Sequence, residues 1–86
     1  MSVVRDLVEV VARAVADRPD AVHVVESPSK NTTLVELFVD PGDLGKLIGR
    51  QGRTAAALRT LAATAGEREG RPVTLEIRDR PQKQAE

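Results

Sequence analysis

The chain has 86 residues, with 13 Lys and Arg against 13 Asp and Glu, a single Phe, and no Cys, Trp or Tyr. That length holds one small domain with a modest core, and the charge balance excludes a generally basic nucleic-acid binder, so any polyanion must be held by a local patch. Without cysteine there is neither a disulfide nor a thiolate metal site, which fits a reducing cytoplasm.

Arg5, Asp6 and Glu9 interrupt the first apolar stretch, so it does not read as an export signal. No stretch approaches the roughly 20 apolar residues of a membrane span, and the sequence reads as cytoplasmic with no membrane partner. Val4, Leu7, Val8, Val11 and Val15 recur at helical spacing and predict an amphipathic helix over residues 2–17. Arg5, Glu9 and Arg13 stand four apart on its other side. Valine is a poor helix former, so this helix depends on packing against a sheet. Arg18-Pro19-Asp20 ends it.

Residues 21–26 are valine-rich and predict a strand, residues 27–31 a turn-forming loop, and residues 33–39 a second strand antiparallel to the first. On the second strand Val35, Leu37 and Val39 face one way, and Leu34, Glu36 and Phe38 the other. With all helices on one side, Leu34 and Phe38 leave an apolar spot on the open side. Scattered apolar exposure of that kind is ordinary and needs no partner. Asp40-Pro41-Gly42 is a turn, and Asp43 is placed to cap a short helix whose Leu44, Leu47 and Ile48 share a face.

Gly49-Arg50-Gln51-Gly52 then forms a loop. Glycine at both ends permits a tight bend and close approach of main chain to another molecule. The amides opening the next helix have no intrahelical acceptors and sit at the positive end of its dipole, where an anion such as phosphate is favoured. Residues 45–61 carry Lys46, Arg50, Arg53 and Arg59 and no acid, a basic island on a neutral chain. Arg53 and Arg59 do not share a helix face, so Lys46, Arg50 and Arg53 gather about the loop while Arg59 stands aside.

In the helix after the loop Leu58, Leu61, Ala62 and Ala65 form the inward stripe, Gly66 closes it, and residues 67–70 carry the chain back. Val73, Leu75 and Ile77 alternate with Thr74, Glu76 and Arg78, a strand with one wet face. Strand, two helices and strand suit a crossover into a parallel neighbour. The predicted fold is α+β, in the order α-β-β-α-α-β, with a three-stranded mixed sheet and three helices on one face. It occupies residues 1–79, followed by a disordered tail over residues 80–86.

Leu47-Ile48-Gly49-Arg50-Gln51-Gly52-Arg53 resembles the I-G-x-x-G signature of KH domains. The run GKLIGRQGRTAAALRTL, with this element order, resembles the small bacterial KhpA-type proteins, built on one type II KH domain. The resemblance implies that about four nucleotides of single-stranded RNA or DNA lie in a narrow groove between the GxxG loop and a sheet edge with a variable loop. Carried over, Gly49, Arg50, Gln51 and Gly52 hold phosphates and sugars, Lys46 and Arg53 add charge, and Ile48 lines the apolar floor. Residues 27–33 correspond to the variable loop, with Lys30 and Asn31 as contacts. The resemblance further implies an RNA chaperone in post-transcriptional regulation and a larger Jag-like KH protein as partner, while the modest affinity of a single groove makes self-association useful through effective concentration.

One Phe cannot build the stacking platform of RRM or OB-type binders, whereas a KH groove needs none. A Gly-rich connection between packed helices and a helix-turn-helix are the bland alternatives. The first ignores the basic residues, and the second would need a recognition helix made of Thr54-Ala55-Ala56-Ala57. No nucleotide-binding P-loop motif occurs. His23, the only histidine, falls in a predicted strand and reads as structural or surface-exposed. The sequence therefore predicts no enzyme, no metal, no cofactor and no small-molecule substrate. The competing function is a dimerising protein-interaction subunit that uses Leu34, Phe38 or the outer face of the Ala-rich helix, with nucleic-acid contact incidental.

Overall fold

The computed structural model describes residues 2–79; the tail predicted over residues 80–86 lies outside them. The elements are α1 (Val3–Val15), β1 (His23–Ser29), β2 (Thr32–Val39), α2 (Leu44–Ile48), α3 (Arg53–Arg68) and β3 (Val73–Asp79), with single 3-10 turns at Pro19–Ala21, Pro41–Asp43 and Arg50–Gly52. The sheet order is β1-β2-β3. β1 pairs with β2 antiparallel and β2 with β3 parallel, with Thr33 opposite Val73 and Leu37 opposite Ile77. This is the α-β-β-α-α-β order and mixed sheet of a type II KH fold.

Period-two burial fixes which face of the sheet is covered. Thr33, Val35, Leu37 and Val39 are buried, while Leu34, Glu36 and Phe38 between them are half-buried. Val35, Leu37 and Val39 share one core with Val4, Val8 and Ala12 of α1, Leu47 of α2, and Leu58 and Ala62 of α3. All three helices therefore lie on that face. On the other, the register sets Val25, 47% exposed, beside Glu36 and between the rows of Leu34 and Phe38. The apolar spot predicted there thus gains a third member.

Six local expectations are corrected. β1 runs to Ser29, so the expected loop shrinks to a two-residue hairpin at Lys30 and Asn31, with Lys30 at φ 51. Pro28 is tolerated because β1 is an edge strand with a free N–H side. Residue 21 belongs to the 3-10 turn opened by Pro19, which delays the strand to His23.

Asp43 does not cap α2. Its carboxylate, 2% exposed, accepts from the amides of Asp17 at 3.1 Å and Arg18 at 2.9 Å, tying the end of α1 to the start of α2. α1 itself stops at Val15, and its Ser2 cap accepts from the Arg5 amide at 3.3 Å.

Gly66 does not end α3. It is buried within the last turns, where a Cβ would meet the Arg71 carbonyl oxygen at 2.8 Å, so the return of the chain toward β3 needs glycine there. The stop comes at Gly70, φ 75, where the Gly70 amide donates to Glu67 O and the Arg71 amide to Gly66 O, the paired bonds of a Schellman motif. Leu61 is 46% exposed rather than inward, because Ala55, Leu58, Ala62 and Gly66 make up the buried stripe.

Arg71 then stitches the sheet to the helices. Its guanidinium donates to Glu26 at 2.6 Å, Ser2 at 2.9 Å, and Thr33 and Glu69 each at 3.1 Å. One side chain thereby joins the first residue before α1, both strands of the hairpin and the loop after α3.

Candidate nucleic-acid interface

The GxxG loop is built by backbone conformations that side chains resist. Gly49 has φ 81 and ψ 168, a region reserved almost entirely for glycine, and Gly52 has φ 73. Gln51 between them is also left-handed at φ 56, a conformation uncommon outside glycine. The Gly49 amide closes α2 by donating to Gly45 O at 2.8 Å, and the Gly52 amide donates to Gly49 O at 3.0 Å. The amides of Arg50 and Gln51 find no acceptor among the described residues. α3 starts at Gly52 with no side-chain cap. Two amides without acceptors thus lie in the loop at the positive end of a 16-residue helix, the arrangement that favours an anion.

A Cβ at Gly52 would meet nothing within 4 Å, so the bend stands open on its outer side. Arg50, Gln51 and Arg53 are exposed. Arg53 donates to Gln51 Oε1 at 2.9 Å, and Lys46 pairs with Asp17 at 3.6 Å with its side chain half exposed. Arg50 enters no ion pair among the described residues. Ile48, half-buried, stands outside the core cluster that takes Leu44 and Leu47, leaving an apolar surface beside the loop.

Lys46, Ile48, Gly49, Arg50, Gln51, Gly52 and Arg53 are thus brought together on one continuous segment. Lys30 and Asn31 are not part of it. They form the hairpin tip next to Thr33, which pairs with Val73 at the start of β3, where Gly66 of α3 also packs. At about 1.5 Å rise per residue, that end of α3 is about 20 Å from Arg53. A cleft of about 460 Å3 lies there as well, lined by Ala63, Glu67, Gly70, Arg71, Pro72 and Val73, and contains none of the loop residues.

Arg59, set aside in the sequence, reaches from α3 to the sheet: its Nε donates to the Leu75 carbonyl at 3.2 Å. Only the i, i+16 relationship across two elements reveals this contact, and no local pattern signals it. His23 is exposed at the first position of β1. Among the described residues no cluster of three or more His, Cys, Asp or Glu is placed to hold a metal ion, and no helix is long and apolar enough to cross a membrane.

The sequence model of the KhpA/KhpB KH domain matches residues 5–77. The RNA-binding protein KhpA of Aquifex aeolicus is 47% identical over 77 residues, 90% of this chain and 98% of that protein. The protein of the same name from Mycobacterium bovis is 47% identical over 81 residues, 94% of this chain and 98% of its own. That of Clostridium perfringens is 42% identical over 73 residues, covering 85% and 97%. Among solved structures, part of Era superposes with a TM-score of 0.65 at 22% identity, covering 92% of this chain and 31% of that one, in a crystal containing MgGDPNP and a segment of 16S ribosomal RNA. At that identity the likeness is one of fold.

Proposed function

The chain belongs to the KhpA/KhpB KH-domain family, and from that membership we propose that it binds single-stranded RNA, gripping the backbone with its GxxG loop. The observation that carries the reading is the pair of positive-φ glycines at 49 and 52, between which the Arg50 and Gln51 amides have no acceptor among the described residues, beside an uncapped helix start. Arg50, Lys46 and Arg53 supply charge on a chain whose total is zero, and Ile48 supplies apolar surface beneath the bases. Lys30 and Asn31, at the other end of α3, meet only the far end of a bound strand. Three bacterial relatives named as RNA-binding proteins support the same ligand.

Fluorescence anisotropy with a short unstructured RNA tests this. Binding should weaken steeply with salt, and the double change Arg50→Asp, Gln51→Asp should abolish it while the melting temperature stays near that of the parent. Undiminished affinity in that variant removes the loop from the mechanism.

One groove gives modest affinity, so a second RNA site on a larger KH partner or a second copy raises retention through effective concentration. A role as an RNA chaperone in post-transcriptional regulation, working with such a Jag-like partner, is the cellular reading that follows. The second reading, a dimerising interaction subunit, is favoured by Leu61, 46% exposed on the outer side of α3. Sedimentation over a range of concentrations, with and without RNA, separates the two. A strict monomer that binds RNA counts against the second.

A further inference from the structure

α3 offers a lane of small residues along the free edge of β3. Gly52, Ala56, Arg59 and Ala63 recur at spacings of four, three and four and so share one helix face. Ala63 borders the cleft against Pro72 and Val73, and Arg59 contacts Leu75, so this exposed face flanks the β3 edge, beside the buried stripe of Ala55, Leu58, Ala62 and Gly66. Because β3 is an outer strand, its edge is open. Among these positions Arg59 alone has a long side chain.

Its guanidinium is already oriented. The Nε bond to Leu75 O, at 3.2 Å, holds the planar group against the strand. Neither terminal nitrogen has a hydrogen bond or ion-pair partner among the described residues. The contrast with nearby cations is plain: Arg71 is committed to four partners, Lys46 to Asp17 and Arg53 to Gln51.

Building on the proposed RNA-binding reading, we propose that Arg59 reads a guanine base through O6 and N7. Seven residues of helix place it about 10 Å from Gly52, so a strand with a phosphate at the loop brings a base one or two nucleotides along to this position. The backbone is gripped on the helix side, at the rim. A group anchored to the strand edge, across the lane, therefore meets bases rather than phosphates. A guanidinium with a fixed plane and two free donors matches an edge with two adjacent acceptors, which guanine O6 and N7 supply.

The test is anisotropy of the full chain with a fluorescent uridine nonamer, the same nonamer with one central guanosine, and one with 7-deazaguanosine, which lacks the N7 acceptor. The parent should prefer the guanosine oligomer by about tenfold, and the deaza base should lose most of that preference. Arg59→Ala and Arg59→Lys should each bring the guanosine-to-uridine ratio close to one. Lysine keeps the charge and lacks the fork, so its failure to restore the ratio separates base reading from simple attraction.

A parent with no preference, or with a preference for another base, overturns the proposal. So does an Arg59→Ala variant that keeps the ratio. Equal weakening on all oligomers, with a salt slope lower by about one, would identify a phosphate contact instead and overturn it too. If the parent binds none of the oligomers, both this inference and the RNA-binding reading fall. Loss of all binding in the Arg50→Asp, Gln51→Asp variant, with the ratio intact in Arg59→Ala, would sink the inference alone.

Discussion

Gly49 lies so close to Thr54 that a Cβ at Gly49 would stand 2.7 Å from the Thr54 Cβ and 2.8 Å from its nitrogen. The first residue of the loop is therefore locked by the first turn of α3 as well as by its own dihedrals. Gly52 shares the positive φ but faces open space, so the two glycines separate folding from binding. Gly49→Ala should cost about 3 kcal/mol from the strained dihedral and the clash, lowering Tm by about 10–20 °C. Gly52→Ala should cost only about 1 kcal/mol yet weaken RNA binding about tenfold, because its methyl stands where the phosphate must approach. Thermal melts paired with anisotropy check both, and equal melting losses would refute the distinction.

Asp43 is the polar anchor under the loop's supporting helix. It receives two charge-assisted bonds from amides 25 and 26 residues away in sequence. Asp43→Ala removes the partner of two part-buried amides and should cost about 2 kcal/mol. Asp43→Asn keeps the shape but turns one acceptor into a donor facing an amide, so it should recover little of that loss. Chemical denaturation measures both, and a near-wild-type asparagine variant would show that shape rather than acceptor chemistry matters.

Arg71 and Glu26 form the shortest of the contacts that hold the hairpin to the rest of the domain, at 2.6 Å. Arg71→Ala should lower Tm, and so should Glu26→Ala. The double variant should be less damaged than the sum of the two, because each single change already breaks the shared bond. Strict additivity in that cycle would mean the pair contributes nothing through its mutual contact.

The element order and the buried face of β2 were legible because period-two and helical spacings act locally and the core simply follows them. The misread positions are those whose job is set by distant chain. Asp43 has the residue type and place of a helix cap, yet its acceptors serve the end of α1. Gly66 stands near a helix end, but the stop needs positive φ, which Gly70 supplies, while Gly66 makes room for the Arg71 carbonyl. Leu61 fits an apolar count, though the smaller Ala55, Ala62 and Gly66 are what the sheet admits at close range. In the candidate site, the spacing of Gly49 and Gly52 announces a loop by itself. The reach of Arg59 to Leu75 does not, since the open edge of β3 exists only after the sheet is assembled.

Glu9 gives the fold a measurable dependence on acid. Its carboxylate takes Arg5 Nη1 at 2.6 Å and Arg13 Nη2 at 2.9 Å along one face of α1. The hydrogen bond from Arg5, reinforced by the charges of Arg5 and Arg13 and opposed by desolvation, holds the Glu9 carboxyl below its ordinary value of 4.5. A folded pKa below the unfolded one means the stabilisation is present in full above the unfolded value and is lost as pH falls through the folded one. Glu9→Gln should therefore melt slightly below the parent at neutral pH, the effect being small because the groups are on the surface. The gap should narrow as pH is lowered from about 5 through the depressed folded pKa, since the parent's own carboxylate is protonated along the way. High salt at neutral pH should also shrink it, by screening the Coulombic share and sparing the hydrogen bond. A gap of constant size across the whole acid range in which the fold persists would place the effect of the substitution in packing or helix propensity rather than in the charge of Glu9.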